Sequence, residues 1–190
     1  MQLSSSENMK TNLQFALNFL RRPAQNASLV PSSTSASKAM LDGIDFSAIH
    51  SIVELGPGTG VFTREILRRC AADTKVLLIE IENVYAAFLK RQFGGRVIVE
   101  HSSAHLLDVL IEKHGLEKID LIVSGLPVAL PQEIRGSFLQ SIRAHTERGT
   151  QFRFFTYNPP LMRRMYRGFS IRKLSVVYRN FPPLWVYGIH

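Results

Sequence analysis

The chain has 190 residues, of which 45% are hydrophobic, enough for one domain with a substantial core. Its formal net charge of +8 points to an acidic partner, either anionic lipid or nucleic acid. Cys70 is the only cysteine, which excludes a disulfide framework and a cysteine-based zinc site. No apolar run approaches the ~20 residues of a membrane span, and no basic-then-apolar signal peptide opens the chain, so the expected location is cytoplasmic.

Residues 1–7 are polar. From Asn8 to Arg22 a helical spacing begins, with Met9, Leu13, Ala16, Leu17 and Leu20 on one face, broadened by Phe15 and Phe19. Lys10, Arg21 and Arg22 flank this face and Pro23 stops it. Such a segment either covers the core or lies in a membrane surface, and its two Phe and basic ends favour the surface. Ala24 to Ser37 is small and polar and reads as a linker or a loop covering a pocket, with Ser32 and Ser33 in its middle. A short helix over Lys38–Leu41 ends at Asp42-Gly43. The sequence thus divides into an N-terminal segment, 1–42, and a larger unit, 43–190.

Apolar strands then alternate with amphipathic helices. Strands are expected at 51–55, 75–80, 96–100, 119–124 and 151–157, with helices near 61–71, 83–93, 104–114 and 131–147. This alternation predicts an α/β fold, a mostly parallel sheet covered on both faces. Strands at 174–179 and 184–189 are joined by Asn180-Phe181-Pro182-Pro183, too short for a parallel crossover, so the seven-stranded sheet should end antiparallel.

The stretch between the first strand and helix reads Glu54-Leu55-Gly56-Pro57-Gly58-Thr59-Gly60. Glycine at alternate positions permits a sharp turn and close approach of backbone to a ligand, and the next helix aims its free N–H groups at the same place. Dinucleotide enzymes use Gly-x-Gly-x-x-Gly around a pyrophosphate. Here the spacing differs, and Glu54 would repel a pyrophosphate but hold an ammonium. The second strand ends at Glu80, placed to accept both hydroxyls of a ribose, followed by apolar Ile81. The third runs into His101-Ser102-Ser103-Ala104, and the fourth into Ser124-Gly125-Leu126-Pro127-Val128. His101 and His105 have no carboxylate in evident ligand spacing, so no metal is expected.

Glu54 to Gly60 resembles motif I of the class I S-adenosylmethionine (SAM) methyltransferases, a Rossmann-like fold. That resemblance implies SAM as cofactor, with S-adenosylhomocysteine as product. It implies that Glu54, Gly56, Gly58, Thr59 and Gly60 cradle the amino-acid end, Glu80 the ribose, Ile81 the adenine face, and Ser103 and Ala104 the adenine edge. Ser103 departs from the Asp that many relatives carry. Ser124 and Gly125 fall where the acceptor meets the methyl group, and Tyr157, closing the fifth strand, is a candidate to orient the amine.

Two families within this class are similar to the chain. The ribosomal RNA adenine dimethylases carry Asn-Leu-Pro-Tyr or Asn-Leu-Pro-Phe, where the Asn and aromatic hold a flipped base. Here Gly125 and Val128 stand in those places, so nucleic acid is the less favoured partner. The short bacterial phosphatidylethanolamine N-methyltransferases are similar over nearly the whole chain: Asn18 to Pro23, Pro31-Ser32-Ser33, Glu54 to Gly60, Ser124 to Pro127, Phe155-Thr156-Tyr157 and Asn180 to Pro183. This implies a phospholipid substrate, stepwise methylation towards phosphatidylcholine, and a peripheral position on the inner membrane surface. Leu126 and Pro127 would then border the acceptor. Physical reading agrees: from Arg148 onward there are eight Lys/Arg and no Asp/Glu. Arg163, Arg164 and Arg167 cluster there, interleaved with Met162, Met165, Tyr166 and Phe169, and suit an anionic leaflet. A SAM-binding protein without catalysis is a further reading, which Ser103 slightly favours.

Overall fold

A computed structural model describes residues 33–127, 130–179 and 182–189 of the chain. The expected helix over 8–22, with Phe15, Phe19, Arg21 and Arg22, lies outside them, as do Ser32 and Val128.

Helix α1 (Ser33–Leu41) leads into β1 (Ser51–Leu55), α2 (Val61–Arg69), β2 (Lys75–Glu80), α3 (Asn83–Phe93) and β3 (Ile98–His101). After a short 3-10 turn come α4 (Leu107–Lys113), β4 (Leu121–Ser124), α5 (Gln132–Glu147), β5 (Gln151–Thr156), α6 (Pro159–Met165), β6 (Arg172–Val177) and β7 (Leu184–Ile189). The sheet has seven strands in the order β3-β2-β1-β4-β5-β7-β6. β1 pairs in parallel with both β2 and β4, while β7 runs antiparallel between β5 and β6. The chain therefore leaves β1 towards one edge, returns, and continues on the other side of it. That reversal opens a crevice at the carboxyl ends of the strands.

Both faces of the sheet are covered because successive strand residues point to opposite sides. Val53 and Leu55 pack with Leu107, Leu110, Phe138 and Ile142 beneath α4 and α5. Ile52 packs with Met40, Leu41, Ile66 and Leu89 beneath α1, α2 and α3. β1 is buried along its whole length, as a central parallel strand requires.

Several expectations shift. Ser33–Ser37, read as part of a linker, is helical, because Ala36, Met40 and Leu41 give α1 a buried stripe at helical spacing. The strands expected at 96–100 and 119–124 begin later, at Ile98 and Leu121, and 104–114 divides into the 3-10 turn and α4. The strand expected at 174–179 runs over Arg172–Val177, with a bulge between Lys173 and Ser175. Helix α6 was not expected. Asn158 caps it by accepting from Leu161 N–H at 3.1 Å, and prolines occupy its first turn, where no intrahelical N–H is needed. It turns Met162, Met165 and Tyr166 into the core, leaving Arg163, Arg164 and Arg167 exposed, so the apolar residues of that cluster belong to the interior rather than the surface.

Candidate active site

The glycine loop sits at the reversal point. Gly56 has φ +67°, and a Cβ there would lie 2.9 Å from Leu126 Cδ2, so the first glycine lets the loop close against the segment after β4. A Cβ on Gly60, at φ +74°, would collide with Phe93 at 2.6 Å, so the last glycine admits α3. Gly58 has φ +55° and nothing within 4 Å of its missing Cβ. It faces open space, where a ligand can approach the backbone.

Two buried carboxylates stand under this loop. Glu54 is fully buried, and Thr63 Oγ1 donates to its Oε2 at 2.7 Å. Its Oε1 is buried with no hydrogen-bond partner among the described residues. Desolvation pushes its pKa up to about 8, opposed by the Thr63 hydrogen bond and reinforced by the charge of Glu80. Glu80, also buried, ties the loop together: Gly58 N–H donates to its Oε2 at 2.9 Å and Glu82 N–H to its Oε1 at 2.8 Å. Burial raises its pKa as well, against those backbone hydrogen bonds. Neither carboxylate has a Lys or Arg in salt-bridge contact among the described residues. The loop is thus an electronegative seat that favours a cation and disfavours a pyrophosphate.

A cleft opens beside it. Gly56, Glu80, Ile81, Ser103, Ala104, Leu126 and Pro127, all read from the sequence, line it together. Glu54 and Ser124 lie beneath, buried in the strand ends, and Ser124 Oγ accepts from Leu126 N–H at 3.3 Å. Thr59 is exposed on the loop. Tyr157 does not line the cleft. It packs edge-on against Phe155 at 5.8 Å, beside the cluster under α1 to α3. His105 Nδ1 is 2.8 Å from Ser103 Oγ, and His101 Nε2 is 3.0 Å from the carbonyl of Ile81. Leu130, Ile134 and Phe138 complete the apolar wall and were not read from the sequence. The spacing of four between Ile134 and Phe138 was available, but nothing local marked that face of α5 as facing a ligand.

Gly125 has a steric reason to be glycine. Its N–H donates to Leu55 O at 2.8 Å, and an added Cβ would stand 2.7 Å from Gly56 O. Any side chain there must push the two loops apart.

A sheet of this order, with a glycine loop after β1 and an acid ending β2, is the frame of the class I SAM-dependent methyltransferases. The comparisons agree. The structure of DhpI in complex with S-adenosylhomocysteine superimposes with a TM-score of 0.60, covering 92% of this chain and 94% of that one; at 16% identity this speaks to fold alone. The ornithine lipid N-methyltransferase of Singulisphaera acidiphila is 31% identical over 185 residues, covering 94% of this chain and 95% of that protein. Ribosomal RNA small subunit methyltransferase A of Mycoplasma mycoides is 33% identical over 105 residues, covering 53% of this chain and 38% of that protein. No protein-family model matches the chain. The chain belongs to the class I SAM-dependent methyltransferases, in the family of the Singulisphaera acidiphila enzyme.

Proposed function

We propose that the protein transfers the methyl group of SAM to the amine of a membrane lipid headgroup. The observation that carries this reading is the extent of the similarity to the ornithine lipid N-methyltransferase, which runs almost end to end, whereas the similarity to the ribosomal RNA enzyme stops near half the chain. The finer acceptor is either an ornithine lipid or phosphatidylethanolamine. Both offer a primary amine beside an anionic group, a carboxylate in one and a phosphate in the other. The position of Gly125 against Gly56 supports a lipid over a nucleobase, because the Asn that would grip a base cannot stand there without moving the loop.

The residues present fit SAM. Glu54 Oε1, without a partner among the described residues, is an acceptor that an ammonium would fill, Gly58 leaves its backbone open, and Glu80 has oxygens that ribose hydroxyls would share. Ile81, Ser103 and Ala104 line the cleft, which supports their bordering the adenine. SAM supplies a methyl group already activated by a sulfonium. The headgroup, an ammonium at neutral pH, would give one proton to solvent water before its lone pair could take the methyl group, and the C–S bonding pair would stay on the departing sulfur. The protein's part is to exclude water and hold the reacting atoms about 3–3.5 Å apart. The apolar wall of Leu126, Pro127 and Phe138 favours a dry approach. Carbonyl oxygens at Ser124 and Gly125 are candidates to accept from the amine. Tyr157 stays a candidate to orient the amine, although it packs against Phe155 and does not line the cleft. Peripheral attachment to an anionic leaflet follows from the same reading, with Arg163, Arg164 and Arg167 available to headgroups.

The test is incubation with methyl-labelled SAM and vesicles containing either lipid, in parallel with undermethylated ribosomal RNA. Label in one amine lipid supports the reading and names the acceptor; label in RNA alone refutes it.

A further inference from the structure

The large apolar residues exposed among the described part of the chain are Val84, Leu106, Val109, Leu161 and Tyr178, from 36% exposed at Leu161 to 77% at Tyr178. Singly, exposed apolar residues need no explanation. Their placement does. Val84 is in the first turn of α3, after the carboxyl end of β2. Leu106 and Val109 lie in the 3-10 turn and first turn of α4, after β3. Leu161 is in the first turn of α6, after β5. Tyr178 follows β6, which runs parallel to β5 because each is antiparallel to β7. All five therefore stand at the same end of the sheet, and none at the other end. They reach from the β3 edge to the β6 edge, a width on the order of 29 Å for seven strands at ~4.8 Å spacing. The cleft opens between them.

Charge on this face is uneven in a useful way. Arg163 and Arg164 follow Leu161 on α6, Arg179 follows Tyr178, and all three are exposed. No carboxylate side chain occurs from Arg148 onward. Apolar side chains beside exposed arginines suit a surface whose outer layer is anionic and whose next layer is hydrocarbon.

We propose that this end of the sheet is the bilayer-contact surface: Val84, Leu106, Val109, Leu161 and Tyr178 enter the interfacial layer, and Arg163, Arg164 and Arg179 engage anionic headgroups. The cleft then faces the leaflet, so a headgroup amine enters it without its acyl chains leaving the membrane. This deepens the lipid-amine reading and rests on it for the identity of the occupant.

The experiment measures sedimentation of the full chain with phosphatidylcholine–phosphatidylglycerol vesicles that contain no amine acceptor, so docking is read apart from methylation. One variant carries Leu161→Ser and Tyr178→Ser, a second carries Val84→Ser and Val109→Ser. Each pair is expected to weaken vesicle binding about tenfold, with S-adenosylhomocysteine affinity unchanged. If one pair loses S-adenosylhomocysteine binding through misfolding, the other pair decides. Vesicle affinity equal to wild type in a folded variant of either pair overturns the proposal, as does a loss confined to RNA binding. Wild-type docking that depends on these residues, without methyl transfer to any lipid amine, keeps the surface and refutes the acceptor. Methyl transfer to lipid with docking indifferent to these residues does the reverse.

Discussion

Thr63 Oγ1 donates to Glu54 Oε2 at 2.7 Å, while the other oxygen of that carboxylate is buried without a partner among the described residues. An unmet buried acceptor costs about 1–3 kcal/mol. Burial, with the charge of Glu80 beside it, pushes the carboxyl group's pKa up to about 8, so near neutral pH the ligand-free protein holds a proton on Glu54. An incoming ammonium reverses the preference. Binding of S-adenosylhomocysteine at pH 7 should therefore release close to one proton, seen by calorimetry in buffers of different ionisation enthalpy. Glu54→Gln should abolish that release and weaken binding.

The same group makes a prediction for stability. Between the ordinary glutamate value of 4.5 and about 8, the folded chain keeps a proton that the unfolded chain has lost. The contribution of Glu54 is therefore fully present below 4.5 and declines as pH rises through that window. In ligand-free protein, Glu54→Gln should remove this part of the slope from denaturant unfolding measured at several pH values. A slope identical to wild type would mean that the carboxyl group is ionised in the folded state.

Glu80 has two duties, holding Gly58 N–H and offering oxygens to a ribose. Glu80→Ala should raise the Kd of S-adenosylhomocysteine tenfold or more, the loss of charge-assisted hydrogen bonds worth about 1.5–3 kcal/mol. Glu80→Gln should recover part of it, since an amide oxygen still accepts one hydrogen bond. Equal affinity in all three proteins would remove Glu80 from the site.

Gly125→Ala places a methyl group against Gly56 O, where the backbone leaves 2.7 Å. Overpacking of this kind costs about 1–3 kcal/mol. We expect lower thermal stability together with weaker cofactor binding, because the displaced partner is the cofactor loop itself. A destabilised variant with unchanged affinity would show that the loop does not need this contact.

The fold was legible because strand and helix periods alternate plainly from Ser51 to Thr156 and the linker at 180–183 forces an antiparallel ending. The carboxylates and glycines of the loop were legible because their spacing is local. What escaped had two causes. Helix α6 escaped because it is only seven residues long, Pro159–Met165, too short for a helical period to stand out, and its first turn is built from two prolines. With the helix unseen, the spacing of Met162, Met165 and Tyr166 could not be recognised as a buried stripe. Leu130, Ile134 and Phe138 escaped because a cleft wall built from a distant helix leaves no signature in its own neighbourhood.

Transfer of radiolabel from methyl-labelled SAM is the most direct test of the central claim. The protein is offered ornithine lipid vesicles, phosphatidylethanolamine vesicles and undermethylated ribosomal RNA side by side, and the extracted lipids and RNA are counted. The account predicts label on the amine of one or both lipids and background counts in RNA. Label in RNA with none in either lipid would contradict it.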